Sequence, residues 1–265
     1  MANPIFGRGE GFTKHREAPQ YQPQPSYDPY LQQYQQQAPM PQGPVMTYDD
    51  VIAKTGLSLG LVFVMAAAAF MLVPLELAMP VMIGSSIAGF ITVLIVSMRR
   101  VVSPVGLGIY AVFEGLFVGA VSKFFELLWP GIVVTAVLAT FVTAAATLAV
   151  MKFAKIRVSA KFRQMVTIAT FAFVGVVLVN LVLALFGIDT GMRDVGGGAS
   201  ILAIGVSVIA IALAVFNLVM DFDAVRVGVE QRVPASESWR AALGITVTMV
   251  WLYVEILRVL SYFRD

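Results

Sequence analysis

Residues 248–263 read TMVWLYVEILRVLSYF, an almost wholly apolar segment that nevertheless contains Glu255 and Arg258. A charged side chain at the centre of a bilayer costs about 3 kcal/mol on insertion scales, so it seldom faces lipid. Helical spacing of three and four residues places the polar and small residues of this region on one face. That face consists of Gly244, Thr248, Trp251, Glu255, Arg258 and Tyr262. The pattern predicts a buried helix, central in a bundle, in which Glu255 and Arg258 pair at i,i+3, either as simple internal neutralisation or as part of a functional site.

The remainder of the chain has the composition of a helical membrane protein. Of its 265 residues, 58% are hydrophobic and 13% are charged, whereas a soluble domain has about 25% charged residues. The apolar residues form blocks of about 20, enough to cross about 30 Å of hydrocarbon as a helix. We expect seven spans at 56–75, 80–98, 104–127, 131–151, 165–187, 199–221 and 240–262. The predicted fold is therefore an all-α, polytopic membrane protein with seven transmembrane helices.

Local signals place the ends and contacts of some spans. Pro80, Pro104 and Pro130 fall at or just before span starts, where a missing N–H group is harmless. Two glycine pairs at i,i+4, Gly56/Gly60 and Gly115/Gly119, are typical of close helix approach.

The first 46 residues form a separate region. They are rich in Gln, Pro and Tyr, as in YQPQPSYDPYLQQYQQQAPMPQGP (21–44), and nearly lack aliphatic side chains. Such a segment buries too little apolar surface to offset its ordering entropy, so 1–46 is predicted to be a disordered cytoplasmic tail. Residues 47–265 then form the transmembrane domain, with Thr47 as an N-cap before YDDVIAK.

The distribution of basic residues predicts the orientation. If the N-terminus is cytoplasmic, only Lys123, Arg193, Arg258 and Arg264 of the 18 lysines and arginines fall on or near the opposite side. Basic residues favour the cytoplasmic side. We therefore expect a multi-pass protein of the plasma membrane, surrounded by the lipid bilayer, with a cytoplasmic N-terminus.

Glu114 lies ten residues into the third span, about 15 Å deep by helical rise. Tyr110, one turn earlier, is in position to hydrogen-bond it. An acid at this depth is either a protonated group that holds two helices together or part of a proton or cation relay.

The sixth span ends in NLVMDFDAVRVG (217–228). Its 3/4 spacing puts small and polar residues on one face toward the bundle interior: Ser207, Ala210, Ala214, Asn217 and Asp221. Asp221 should end the span near the cytoplasmic interface, within reach of Arg99 or Arg100. A salt bridge there would be structural, or a latch that opens when the acid is protonated or binds a cation. Asp223, two residues on, is expected to be solvated.

The segments NPIFG (3–7) and MTYDDVIAKTG (46–56) resemble an actinobacterial-type subgroup of the Bax inhibitor-1 family. Three further segments resemble that family, also called the transmembrane Bax inhibitor motif family, in its bacterial branch. They are EGLFVG (114–119), DFDAVRVGVE (221–230) and VTMVWLYVEILRVLSYF (247–263). The resemblance covers 47–265. It implies seven helices with the last one wrapped by the other six.

The resemblance also implies a pH-sensitive calcium leak, gated by two aspartates on the sixth and seventh helices and by an arginine near the second helix. Here the sixth-helix acid falls on Asp221 and the arginine on Arg99 or Arg100. The seventh-helix acid falls on Thr248, which cannot share a proton with Asp221 as a second carboxyl group would. Calcium would then pass Glu114, Asp221 and Glu255 as separate waypoints.

Two functions remain open on the sequence alone. One is a passive cation pathway, with calcium first and protons second. The other is a non-transporting interaction protein that modulates a membrane protease or a stress response, with the tail as a partner-binding segment.

Other classes of protein are disfavoured. The sequence has no Cys and its single His, His15, lies in the tail, so we expect no resident cofactor and no Cys- or His-based metal centre. No HExxH, G-x-S-x-G or P-loop motif occurs, which argues against an enzyme. A net charge of +2 is too small to indicate a nucleic-acid partner.

Overall fold

The computed structural model describes residues 43–154 and 157–264, which fold into seven long helices. These are α1 (Tyr48–Leu72), α2 (Leu75–Ser97), α3 (Pro104–Leu128), α4 (Ile132–Phe153), α5 (Ala160–Leu185), α6 (Ile201–Glu230) and α7 (Glu237–Ser261). Each is long and apolar enough to cross a membrane. The prediction of an all-α fold with seven transmembrane spans is confirmed.

Capping side chains mark the start of four of the helices. Thr47, Ser103, Ser159 and Ser200 each accept a hydrogen bond from the backbone N–H three residues later, which caps α1, α3, α5 and α6. Pro104 occupies the first turn of α3, as predicted. Pro80 does not begin a helix, since α2 already starts at Leu75. A proline inside a membrane helix is tolerated because neighbouring groups satisfy the freed carbonyl.

Helix α7 lies at the centre of the bundle. It packs against α1, α3, α4 and α6, and Leu252, Glu255 and Leu257 on it are almost completely buried. The two other helices are peripheral, because α2 packs mainly on α3 and α5 mainly on α6. The predicted central position of the seventh helix is therefore correct, although its neighbours surround it unevenly.

Helices α1 and α3 approach closely through one of the two predicted glycine pairs. A Cβ on Gly119 would lie 2.3 Å from the Ala66 carbonyl oxygen, and one on Gly115 would lie 2.5 Å from Met65 Cβ. Gly56 and Gly60 have no neighbouring atom within 4 Å of such a Cβ, so the expectation of close packing there is wrong. Those two glycines lie on the exposed side of α1.

Different segments meet at the two ends of the bundle, which we call proximal and distal. At the proximal end, residues 44–46 contact the connection between α6 and α7, and Arg240 contacts the end of α2. At the distal end, the connection between α5 and α6 (186–200) contacts the end of α7, and Arg264 donates to the Pro130 carbonyl.

Residues 43–46 form an ordered contact, which we call the proximal clasp. Met46 N donates to the Val233 carbonyl at 2.8 Å, Ala235 N donates to the Pro44 carbonyl at 2.9 Å, and Val45 bridges Pro234. The Met46 side chain is 4% exposed and packs on Gly228. The expectation that disorder extends to residue 46 is therefore wrong for 43–46, because backbone pairing and burial of Met46 order them; residues 1–42 lie outside the described part.

Helix α6 is longer than predicted. It continues for nine residues past Asp221 to Glu230. Arg226 pairs with Asp223 three residues earlier and approaches Glu230 four residues later, at 3.8 Å. Such i,i+3 and i,i+4 pairs support a helix. Asp221 therefore lies within α6 rather than at its end.

Candidate functional site

The Asp221 carboxylate lies between α6 and the central helix. Thr248 Oγ1 donates a hydrogen bond of 2.7 Å to Asp221 Oδ2. Gly244, one turn before Thr248 on α7, leaves the space that the carboxylate fills, because a Cβ there would lie 3.0 Å from Oδ1. The position at which the family resemblance places a second acid thus holds the hydroxyl partner of Asp221.

The predicted ion pair between Asp221 and Arg99 or Arg100 is not formed among the described residues. Both arginine side chains are exposed. Their backbone carbonyls instead accept hydrogen bonds from Arg240 Nη2, at 3.0 and 2.8 Å, and Arg240 also pairs with Glu237. Carbonyls just beyond a helix end lack intrahelical partners, so an arginine on α7 satisfies this end of α2.

Asp223 is buried, contrary to the prediction that it is solvated. It is 2% exposed and holds two arginines, with Arg226 Nη2 at 2.5 Å from Oδ1 and Arg163 Nη2 at 3.1 Å from Oδ2. Because α6 continues as a helix, Asp223 faces the start of α5 rather than water. This ion cluster joins α5 to α6.

Glu255 forms a second ion cluster toward the distal end. It is 1% exposed, and Arg193 contacts both of its oxygens, with Nη2 at 2.7 Å from Oε1 and Nη1 at 3.3 Å from Oε2. Arg258 Nη1 lies 3.2 Å from Oε2, so the predicted i,i+3 pair is present. The cluster fastens the connection before α6 to the central helix.

Glu114 and Asn217 occupy other interfaces. Glu114 lies between α2 and α3, where a Cβ on Gly89 would be 3.0 Å from its Oε2, and its hydrogen-bonding neighbour is Tyr110. Asn217 Nδ2 donates to Thr170 Oγ1 on α5 at 2.7 Å. The predicted inward face of α6 is therefore only partly correct. Its small residues are fully buried, whereas the side chain of Asn217 contacts α5 and that of Asp221 contacts α7.

The acids do not converge on one centre. Thr248 and Glu255 are two turns apart on α7, about 10 Å by helical rise. The described residues contain no group of three or more His, Cys, Asp or Glu that could hold a metal ion. The arrangement consists of two acids with neutral neighbours, Asp221 beside Thr248 and Glu114 beside Tyr110, and of two acids, Asp223 and Glu255, that each pair with two arginines.

Sequence reasoning missed the partners that come from distant parts of the chain. Arg163 and Arg193 lie 60 and 62 residues from the acids they bind. Both belong to polar connections or helix starts that carry no periodic signal. Their only sequence signature is that each is a basic residue in a connection between two predicted spans.

Seven membrane-length helices, of which the last is buried at the centre and carries a carboxylate, define a polytopic helical membrane protein. A family model described as Bax inhibitor 1 like matches residues 3–265, so the chain belongs to that family. The match also includes most of residues 1–46, which lie outside the 47–265 range of the resemblance described above. A search of curated proteins found no significant match.

Proposed function

We propose that this protein is a pH-sensitive leak pathway for calcium or other cations, with Asp221 as the gate at the proximal end. The observation that carries the proposal is the hydrogen bond from Thr248 to Asp221, which joins α6 to the central helix. A change at this one contact affects the packing of the helix against which most others pack.

The partners of the three acids set Asp221 apart. Asp223 and Glu255 are 2% and 1% exposed and each pairs with two arginines, of which Arg163 is half-exposed and the other three are mostly buried. Protonation of Asp221 breaks no ion pair in the described structure, and Thr248 can accept a hydrogen bond as well as donate one. The ion clusters therefore suit structural roles, and Asp221 suits a switch.

Calcium in this proposal is the transported ion and not a resident cofactor. Calcium takes six to eight oxygen ligands, far more than Asp221 and Thr248 provide. Glu114 and Glu255 belong to other interfaces and would act at most as separate waypoints. Transient coordination by Asp221, backbone carbonyls and water is consistent with a leak.

Calcium entry into dye-loaded liposomes that contain the purified full chain tests the proposal. We expect calcium entry above that of empty liposomes, and we expect the rate of entry to depend on pH. The rate should change by at most about tenfold per pH unit, because a single proton is involved. Asp221→Asn, which removes the titrating group, should abolish this pH dependence. Glu237→Gln, which removes a half-exposed proximal carboxylate paired with Arg240, is the charge control and should keep the dependence. Equal entry into empty and protein-containing liposomes would sink the proposal.

The proposed site of action is the plasma membrane, with the proximal end cytoplasmic. The support is the excess of basic residues in the proximal segments, which include Arg99, Arg100 and Arg157. The lipid bilayer then surrounds the bundle, and α7 is enclosed by the other helices.

A second candidate function is a non-enzymatic interaction protein that modulates a membrane protease or a stress response. The proximal clasp favours this function, because the clasp residues that follow the tail pair with the connection of α6 and α7. Affinity purification with and without residues 1–42 discriminates. Loss of a reproducible partner on deletion, with calcium entry absent in the intact protein, would select this function.

A further inference from the structure

An apolar groove of about 420 Å³ opens on one side of the bundle. Helices α1 and α4 form its walls, and α3 and α7 form its floor. Met249, Val250 and Tyr253 of the central helix lie at the floor. The groove is thus a lateral route from the bundle surface to a helix that is otherwise enclosed by its neighbours.

The polar groups that line the groove are already paired. Ser122 and Tyr253 share a hydrogen bond of 2.6 Å. Glu126 accepts from Gly131 N at 2.6 Å and from Val133 N at 3.1 Å, and Thr140 donates to its own helix. Water occupies a cavity where it finds two to four polar partners, so this groove favours an apolar occupant.

The dimensions and the rim indicate which apolar occupant. The α1 wall runs from Leu59 to Phe70, about 16 Å at 1.5 Å per residue. This length matches one leaflet of a hydrocarbon core about 30 Å thick. Phe63 and Phe141 on the two walls are 67% and 56% exposed, so the groove opens toward the hydrocarbon that surrounds a membrane-spanning bundle.

We propose that one acyl chain of a bilayer phospholipid occupies this groove and contacts the central helix at Met249, Val250 and Tyr253. Inside a membrane the chain gains no hydrophobic free energy by entering, since lipid tails are as apolar as the groove. It gains dispersion contacts on several sides, where an empty groove would leave its lining without partner atoms. The chain would contact the turn of α7 that follows Thr248.

A phosphatidylcholine with a diazirine on one acyl chain tests this in proteoliposomes of the full chain. After illumination, labelled residues are mapped by mass spectrometry. We expect label at 249–253 of α7 as well as on the exposed face of α5, for example at Phe171. Ala67→Phe, which fills the groove from α1, should reduce the α7 label several-fold and leave the α5 label unchanged.

Two further variants make the result decisive. Val137→Phe fills the groove from the opposite wall and should act like Ala67→Phe. Ala146→Phe adds the same ring to an exposed site of α4 outside the groove and should change nothing. Wild-type protein labelled on α5 but not on α7 overturns the proposal. Persistent label on α7 in both filled variants also overturns it, provided that their α5 label equals that of the wild type and so shows native insertion.

Discussion

At the scale of single residues, the buried acids differ in the kind of partner each one has. Asp223 and Glu255 are each held by two arginines, whereas Asp221 is held by a threonine hydroxyl beside a glycine. The carboxylates of Asp223 and Glu255 therefore belong to ion clusters, whereas that of Asp221 does not. Each kind of partner predicts a different response to substitution.

Removing the Glu255 charge should destabilise the protein strongly. Glu255→Gln leaves Arg193 and Arg258 facing each other without their counter-charge, and breaking a buried pair costs about 3–5 kcal/mol. The free energy of unfolding in mixed micelles measures the loss. Glu237→Gln removes one member of a half-exposed pair and should cost about 1 kcal/mol or less. Similar losses in the two variants would contradict the assignment.

The hydrogen bond between Thr248 and Asp221 should appear as coupling between the two residues. A double-mutant cycle of Thr248→Val and Asp221→Ala, each of which removes one partner of the bond, is expected to give about 0.5–2 kcal/mol, the range of side-chain hydrogen bonds between membrane helices. Thr248→Ser keeps the hydroxyl and should retain the coupling. Additive effects within experimental error would mean that the contact contributes nothing to stability.

At the scale of helices, close packing of α1 on α3 depends on two glycines. Gly119→Ala places a methyl group against the Ala66 carbonyl, so overpacking should cost about 1–3 kcal/mol. Gly60→Ala meets no atom within 4 Å and should be neutral, or stabilising by up to about 1 kcal/mol through helix propensity. Unfolding free energies of the two variants are the measurement, and a stable Gly119→Ala protein would refute the close contact.

Sequence periodicity predicts which residues share a face of one helix, but it does not predict which residues from other parts of the chain contact that face. The 3/4 spacing in α7 correctly predicted burial and the Glu255–Arg258 pair. The same spacing in α6 ends at Asp221, where the apolar run stops, and therefore places Asp223 in solvent. The helix continues because charged pairs replace apolar periodicity. Arg193 reaches Glu255 through tertiary packing that no local pattern encodes.

At the scale of the whole molecule, the proximal and distal ends should lie on opposite sides of the membrane. The chain has no cysteine, so single cysteines report accessibility without background. In intact cells, an impermeant maleimide should label Ile188→Cys at the distal end and leave Arg100→Cys unlabelled until the cells are opened. The reverse pattern would show a cytoplasmic distal end and would contradict the proposed orientation.

The central position of α7 has a consequence for how the protein is made. Since α7 follows the other six helices along the chain, they reach the bilayer during synthesis before the helix that fills their interior. Until α7 is inserted, Asp221 lacks Thr248 and Arg193 lacks Glu255. Newly made chains that stall before α7 therefore lack both the hydrogen bond that holds Asp221 and the counter-charge of Arg193.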